Sequence, residues 1–175
     1  MKKIFFVLMI VSLIFLLVYL YFLFRPVVSI NYKNQTFTFR DDIKAANRIR
    51  VYPDEKTVHD MFWNPNLENV TIIFKPLEKG SGYYLLESFE LTYKLSAMYL
   101  LNGMKKNFDA LSVDSYDNIE SSENVLKIVL VHPQLTDKTL VEGEDNVIFI
   151  HAKDYRDFDL ATIKTILVAM GIDSR

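Results

Sequence analysis

His59, His132 and His151 are the only imidazoles in the chain, and there is no cysteine to act as nucleophile, thiolate ligand or lipid-attachment point. His59 falls in a short helical pattern, His132 at a strand end and His151 late in a strand. None lies four residues from another, the spacing that puts two zinc ligands on one helical face. Strand ends can converge, so His132 and His151 are metal candidates. The plainer reading of each is a strand-edge imidazole with a local hydrogen bond.

The stretch KPLEKGSGYY sets Lys79, Gly80, Ser81 and Gly82 between a strong strand and the start of a helix. Backbone amides at such a junction can hold a phosphate or carboxylate, with Lys79 adding charge. A full phosphate loop needs a second spaced glycine and a Lys-Ser/Thr pair entering the helix, and neither is present. The competing reading is a strand-to-helix connection in which Ser81 caps the helix. Asp154, Asp157 and Asp159 in KDYRDFD supply oxygens suited to calcium, but the central glycine and terminal glutamate of a calcium loop are missing. Two of those acids suit a helix N-terminus, where negative charge is stabilised by ~0.3–1 kcal/mol. Glu87 and Glu90 are the best acid pair on a helix, yet they share a face with Lys94 and read as solvated. There is no Gly-x-Ser-x-Gly elbow. These residues require neither an active site nor a cofactor.

The elements that hold these residues alternate irregularly. VVSINYKNQTFTF reads as a hairpin about Lys33, Asn34 and Gln35, although Asn-Gln is a poorer turn than Asn-Gly. Asp41 and Asp42 cap a short helix reaching Arg48; RIRVYP is a strand; DEKTVHDMFW is a second short helix. NVTIIFKP is a continuous apolar strand of the kind covered on both faces. Residues 83–103 form the longest helix of the domain, stopped by Gly103, with Leu85, Phe89, Tyr93 and Leu100 along its apolar stripe and Leu86, Leu91, Leu95 and Met98 widening it. Strands follow in DALSVDSY, VLKIVLVHP, KTLVEG and NVIFIHAK, the last two around a turn at 142–146. DFDLATIKTILVAMG closes the chain as a helix with Asp157 or Asp159 as cap and Gly171 as stop.

That last helix carries more apolar surface than one sheet face needs, since a covering helix needs a stripe of ~100°. Either it is sandwiched within the domain or its surplus meets a partner. Its one outward face would run through Asp157, Ala161, Lys164 and Val168, which makes Ala161, Lys164 and Val168 the candidate interaction residues.

Residues 4–24, IFFVLMIVSLIFLLVYLYFLF, hold no charge, glycine or proline. Twenty-one residues at ~1.5 Å rise give roughly 32 Å, the thickness of a hydrocarbon core of ~30 Å. Tyr19 and Tyr21 sit where amphipathic rings favour the headgroup layer. A cleaved signal peptide is the rival, but its apolar region usually runs to ~7–15 residues and the only tolerable cleavage site, Val27-Val28-Ser29, follows Arg25 and Pro26. Lys2 and Lys3 before the run, against Arg25 after it, favour an N-terminus on the cytoplasmic side and an exported domain; Lys33 and Arg40 favour the inverse. Asn34 and Asn69 are formal glycosylation acceptors, weak support for export.

The first 25 residues contain three basic and no acidic side chains, so the remainder holds 17 basic and 22 acidic residues, a net of −5. An acidic domain beside a bilayer argues against nucleic acid and against a polybasic lipid-binding surface. The expected architecture is α+β (mixed α/β): a basic tail at 1–3, a transmembrane helix at 4–24, and a single domain at 25–175 with a mixed sheet of five to seven strands and two long packed helices. The expected work is binding or assembly as a non-catalytic component of a membrane or envelope complex, with the bilayer and a protein as partners. The alternative is an anchored hydrolase or anion-binding enzyme using Lys79–Gly82 with a strand-end histidine.

Overall fold

The computed structural model describes residues 14–16, 28–77 and 81–172. Of the apolar run only residues 14–16 are among them, as helix; the rest of 4–24 and the tail 1–3 lie outside the described residues. Among the described residues no helix is long and apolar enough to cross a membrane.

The chain opens with a hairpin of β1 (Val28–Tyr32) and β2 (Gln35–Phe39). Its turn is Lys33-Asn34, both at positive φ (47° and 66°), as a two-residue primed turn demands. Next comes α1 (Ile43–Ala46), whose cap Asp42 accepts from the Lys44 amide at 2.8 Å; it ends short of the expected Arg48. After β3 (Arg50–Tyr52), Asp54 caps α2 (Glu55–Phe62) by accepting from the Thr57 amide at 2.8 Å. There follow β4 (Asn69–Phe74), α3 (Ser81–Leu101), β5 (Asn107–Ser112), β6 (Val125–Val131), β7 (Leu140–Glu144), β8 (Val147–His151) and α4 (Tyr155–Ala169). The cap of α4 is Asp154, which accepts from the Asp157 amide at 2.8 Å, rather than Asp157 or Asp159. Three acids within six residues can each serve; the backbone turns helical after the first of them.

Strands β3 to β8 form one mixed sheet in the order β3-β7-β8-β6-β4-β5, the six strands falling within the expected five to seven. All neighbours are parallel except β7 and β8, an antiparallel hairpin turning at Asp145-Asn146. The tight C-terminal hairpin is what breaks the parallel run.

Strand alternation divides the side chains between two faces. Val70, Ile72, Leu126, Ile128, Leu130, Val141, Ile148 and Ile150 join one core with residues of all four helices. Ile73, Val129, Val131 and Val147 form a smaller cluster on the other face, against Val113, Tyr116 and Ile119 from the β5–β6 connection. The fold is thus a sheet with a helical layer on one side and a short loop on the other.

Within the helical layer α4 is central. It touches α1, α2 and α3 as well as β7 and β8, and every residue from Leu160 to Met170 is buried. The C-terminal carbonyls that a helix leaves unpaired are met from α2: His59 Nδ1 donates to the Val168 carbonyl at 2.8 Å and Trp63 Nε1 to that of Ala169 at 2.9 Å. The surplus apolar surface of α4 is therefore spent inside the domain. The outward face expected at Ala161, Lys164 and Val168 points inward, because α1 and α2 cover the side away from the sheet. Lys164, fully buried, reaches Glu55 Oε1 at 2.6 Å, so even its charge is met within the domain.

Helix α3 meets expectation in part: it buries Leu91, Leu95 and Met98 but turns the stripe through Leu85 outward. Its inward face carries Tyr84, Leu91, Leu95, Met98 and Tyr99, with Glu87 and Lys94 among them; Leu85, Phe89, Tyr93 and Leu100 are 70, 64, 58 and 65 % exposed. Apolar side chains occupy both faces, so periodicity did not select the one that packs.

Candidate functional site

The inward charges of α3 converge with α4 and the end of β2. Glu87, Glu90 and Lys94 from α3, Asp159 and Thr162 from α4, and Arg40 and Asp41 after β2 line a cavity of about 130 Å³. Its apolar walls are Phe39, Leu86, Ile163 and Ile166. Glu87 and Lys94 are seven residues apart, about two helical turns, so one helix face delivers both.

The electrostatics are those of charge withdrawn from water. Burial first, then the neighbouring Asp159 carboxyl, push the Glu87 carboxyl up to about 9. Lys94 is drawn down to about 8 by burial, with Glu87 opposing and Arg40 reinforcing the shift. Lys94 pairs with Glu90, and its Nζ stands 4.6 Å from the centre of the Phe39 ring. Glu87 Oε1 and Thr162 Oγ1 are closed to water, and the Glu87 carboxyl is a hydrogen-bonding neighbour of the Asp159 and Thr162 side chains. The arrangement can store a proton between the Glu87 and Asp159 carboxyls. Glu87, Glu90 and Lys94 read in the sequence as a solvated face; the visible signal of burial was that the two charges at 87 and 94 share a stripe with Tyr84, Leu91 and Met98.

A larger recess of about 680 Å³ lies along β3 and β7, lined by Arg50, Tyr52, Asp137, Lys138, Glu142 and Lys153 among others. Its charged side chains are mostly exposed, and the smaller cavity, which encloses buried charge, is the stronger chemical candidate.

The other sequence candidates are dispersed. Lys79 and Gly80 lie outside the described residues, Ser81 starts α3 and Gly82 falls in its first turn. His132 extends the helix-side face of β6: its ring centre is 5.3 Å from those of Tyr84 and Tyr155, and Nδ1 accepts from the Gln134 amide at 3.2 Å. Its Nε2 is buried without a partner, and burial lowers its pKa. His151 lies on the opposite face with Phe149, its Nε2 3.7 Å from Glu142 Oε2. Although Val131 and His151 are in register, alternation sends the two imidazoles to opposite sides of the sheet, so they do not share a metal. Among the described residues no group of three or more acidic or imidazole side chains is placed to hold a metal ion.

The second feature is the outward stripe of α3. Leu85, Phe89 and Tyr93 succeed one another at intervals of four, and Phe89 and Tyr93 lie parallel with ring centres 6.1 Å apart. The hairpin lies beside this helix: Tyr32 Oη accepts from Asn102 Nδ2 at 3.1 Å at the C-terminal end of α3, and Phe39 touches Lys94 near its middle. Val28, the first described residue of β1, pairs with Phe39 and so also lies near the middle of α3.

Comparison with protein-family models, curated proteins and solved structures gives no match to this chain.

Proposed function

We propose that the chain is a membrane-anchored, extracytoplasmic domain whose work is binding and assembly, a non-catalytic component of a membrane or envelope complex. The observation that carries the reading is the outward stripe of α3, four large apolar side chains each more than half exposed along one helix. Apolar surface gathered in this way on a domain marks an interaction site more often than isolated exposed residues do. The occupant is a protein held at the same bilayer. The apolar run ends at residue 24, four residues before β1 begins beside α3, a reach of at most about 14 Å. The stripe then lies near the membrane surface, within reach of another anchored chain.

A second reading, an anchored hydrolase or anion-binding enzyme, draws on one observation: His132, with a buried and unpartnered Nε2, stands against Tyr84 near the start of α3. The test that separates them is purification of the full chain from detergent-solubilised membranes, wild type beside Phe89→Asp. Because Phe89 is exposed, the variant should fold; on the assembly reading it loses subunits that accompany the wild type. An identical set of companions in both preparations would contradict that reading.

A further inference from the structure

The six-stranded sheet ends in two unlike edges. At one end β3 is three residues long and is stopped by Pro53, the kind of short edge that does not recruit another strand. At the other end β5 runs six residues, Asn107–Ser112, without proline or lysine, and all of them except Phe108 are exposed. Among the described residues only β4 pairs with it.

The backbone decides which groups are left over. The Asn107 amide donates to the Glu68 carbonyl at 3.1 Å, and the Val113 amide to that of Phe74 at 3.0 Å. Successive residues of a strand turn their N–H and C=O groups to opposite sides, so the odd-numbered residues serve β4 while Phe108, Ala110 and Ser112 present theirs outward. Donors and acceptors thus alternate along an open edge, the arrangement that an added strand completes.

Charge says which strand fits. Lys105 and Lys106 precede β5, and Asp114 and Asp117 follow it. A second β5 laid antiparallel sets the basic end of each copy against the acidic end of the other; laid parallel, it would set like charges together. The register follows from the same residues. Centring on Asp109 opposes two carboxylates, and centring on Leu111 carries Phe108 past the end of the other strand. Centring on Ala110 pairs Phe108 with Ser112 and Ala110 with itself, so every outward group of both strands is used. Asp109 then faces Leu111, and Leu111, 51 % exposed, comes within diagonal reach of its counterpart, about 7–8 Å away.

We propose that the chain forms a two-fold dimer through antiparallel pairing of β5 with β5 of a second copy, joining the two sheets into one. The axis stands perpendicular to the sheet, so the helical layers and hairpins of both copies lie on the same side. Two chains held in one bilayer can pair in this way, but the contact uses neither the anchor nor the outward stripe of α3.

The experiment uses the cysteine-free full chain in detergent micelles, given one cysteine at a time and mildly oxidised. Opposed Ala110 Cα atoms in a hydrogen-bonded pair stand about 5.5 Å apart, within disulfide reach. Ala110→Cys should therefore form a covalent dimer at least about tenfold faster than Asn107→Cys, whose two copies stand roughly 20 Å apart along the strands. Light scattering should find two chains per micelle for the wild type. Ala110→Pro removes an outward donor that β4 does not use, a position where an edge strand accepts proline, and should leave one chain per micelle. If Ala110→Pro fails to fold, the contrast between the two cysteine positions decides. Equal coupling at 107 and 110, no coupling at 110, or a folded Ala110→Pro chain that stays paired would each overturn the proposal. So would a wild type found as single chains, which would leave the edge to a strand of another protein.

Discussion

Glu87 stands where a methionine would pack, and its carboxyl keeps a proton that an exposed glutamate gives up. Its folded-state pKa of about 9 lies above the ordinary 4.5, so the folded chain binds this proton more tightly than the unfolded chain does. The contribution to stability is fully present below pH 4.5 and is lost as pH rises toward 9, with a limiting slope of about 1.4 kcal/mol per pH unit. Lys94, drawn down to about 8, acts in the opposite sense only above that pH, where the unfolded chain retains the more protons. Thermal melts of the full chain from pH 5 to 8 should therefore show Glu87→Gln gaining stability relative to wild type as pH rises. Parallel curves would mean that Glu87 is ionised in the folded state. At this scale capping was legible: Asp42, and Gly103 and Gly171 at φ of 72° and 67°, sit where short side chains and glycine were read as helix boundaries. Asp154 was not, because Asp157 and Asp159 offer the same chemistry a few residues on.

At the scale of elements, the two long helices show where periodicity is informative and where it fails. The length and ends of α3 follow from an unbroken run closed by Gly103, but its orientation does not. A stripe through 85, 89, 93 and 100 competes with one through 84, 91, 95 and 98, and the second wins by placing Tyr84, Leu91 and Met98 in the core while tolerating Glu87 and Lys94. In α4 the surplus of apolar residues was legible and one of its two explanations was burial. Which side faced outward was not, because the covering layer of α1 and α2 is built from distant sequence. These placements have measurable consequences. Ile166→Asp and Val168→Asp each bury an unpaired charge, since both residues are almost fully closed to water, and each should cost several kcal/mol or prevent folding. Phe89→Asp, on the outward stripe, should change stability by no more than about 0.5 kcal/mol. Thermal melting of the full-length variants decides: a stable Val168→Asp chain, or a Phe89→Asp chain that fails to fold, would contradict the packing described.

At the scale of the whole molecule, the mixed six-stranded sheet was readable because four apolar or alternating strand patterns and the C-terminal hairpin each carry their own signal. The convergence of α3, α4 and β2 on one cavity was not, since it joins residues some 120 positions apart whose local patterns read as ordinary surface charge. The proposal of an anchored assembly domain joins the apolar run at 4–24 to the outward stripe of α3, and one measurement addresses both. A photoreactive residue is placed at position 89, and in a separate chain at exposed position 145 on the β7–β8 turn, and intact membranes are irradiated. The account predicts a discrete protein adduct in the membrane fraction from position 89 and none from position 145. No adduct from either position, equal adducts from both, or a chain recovered outside the membrane fraction would contradict it.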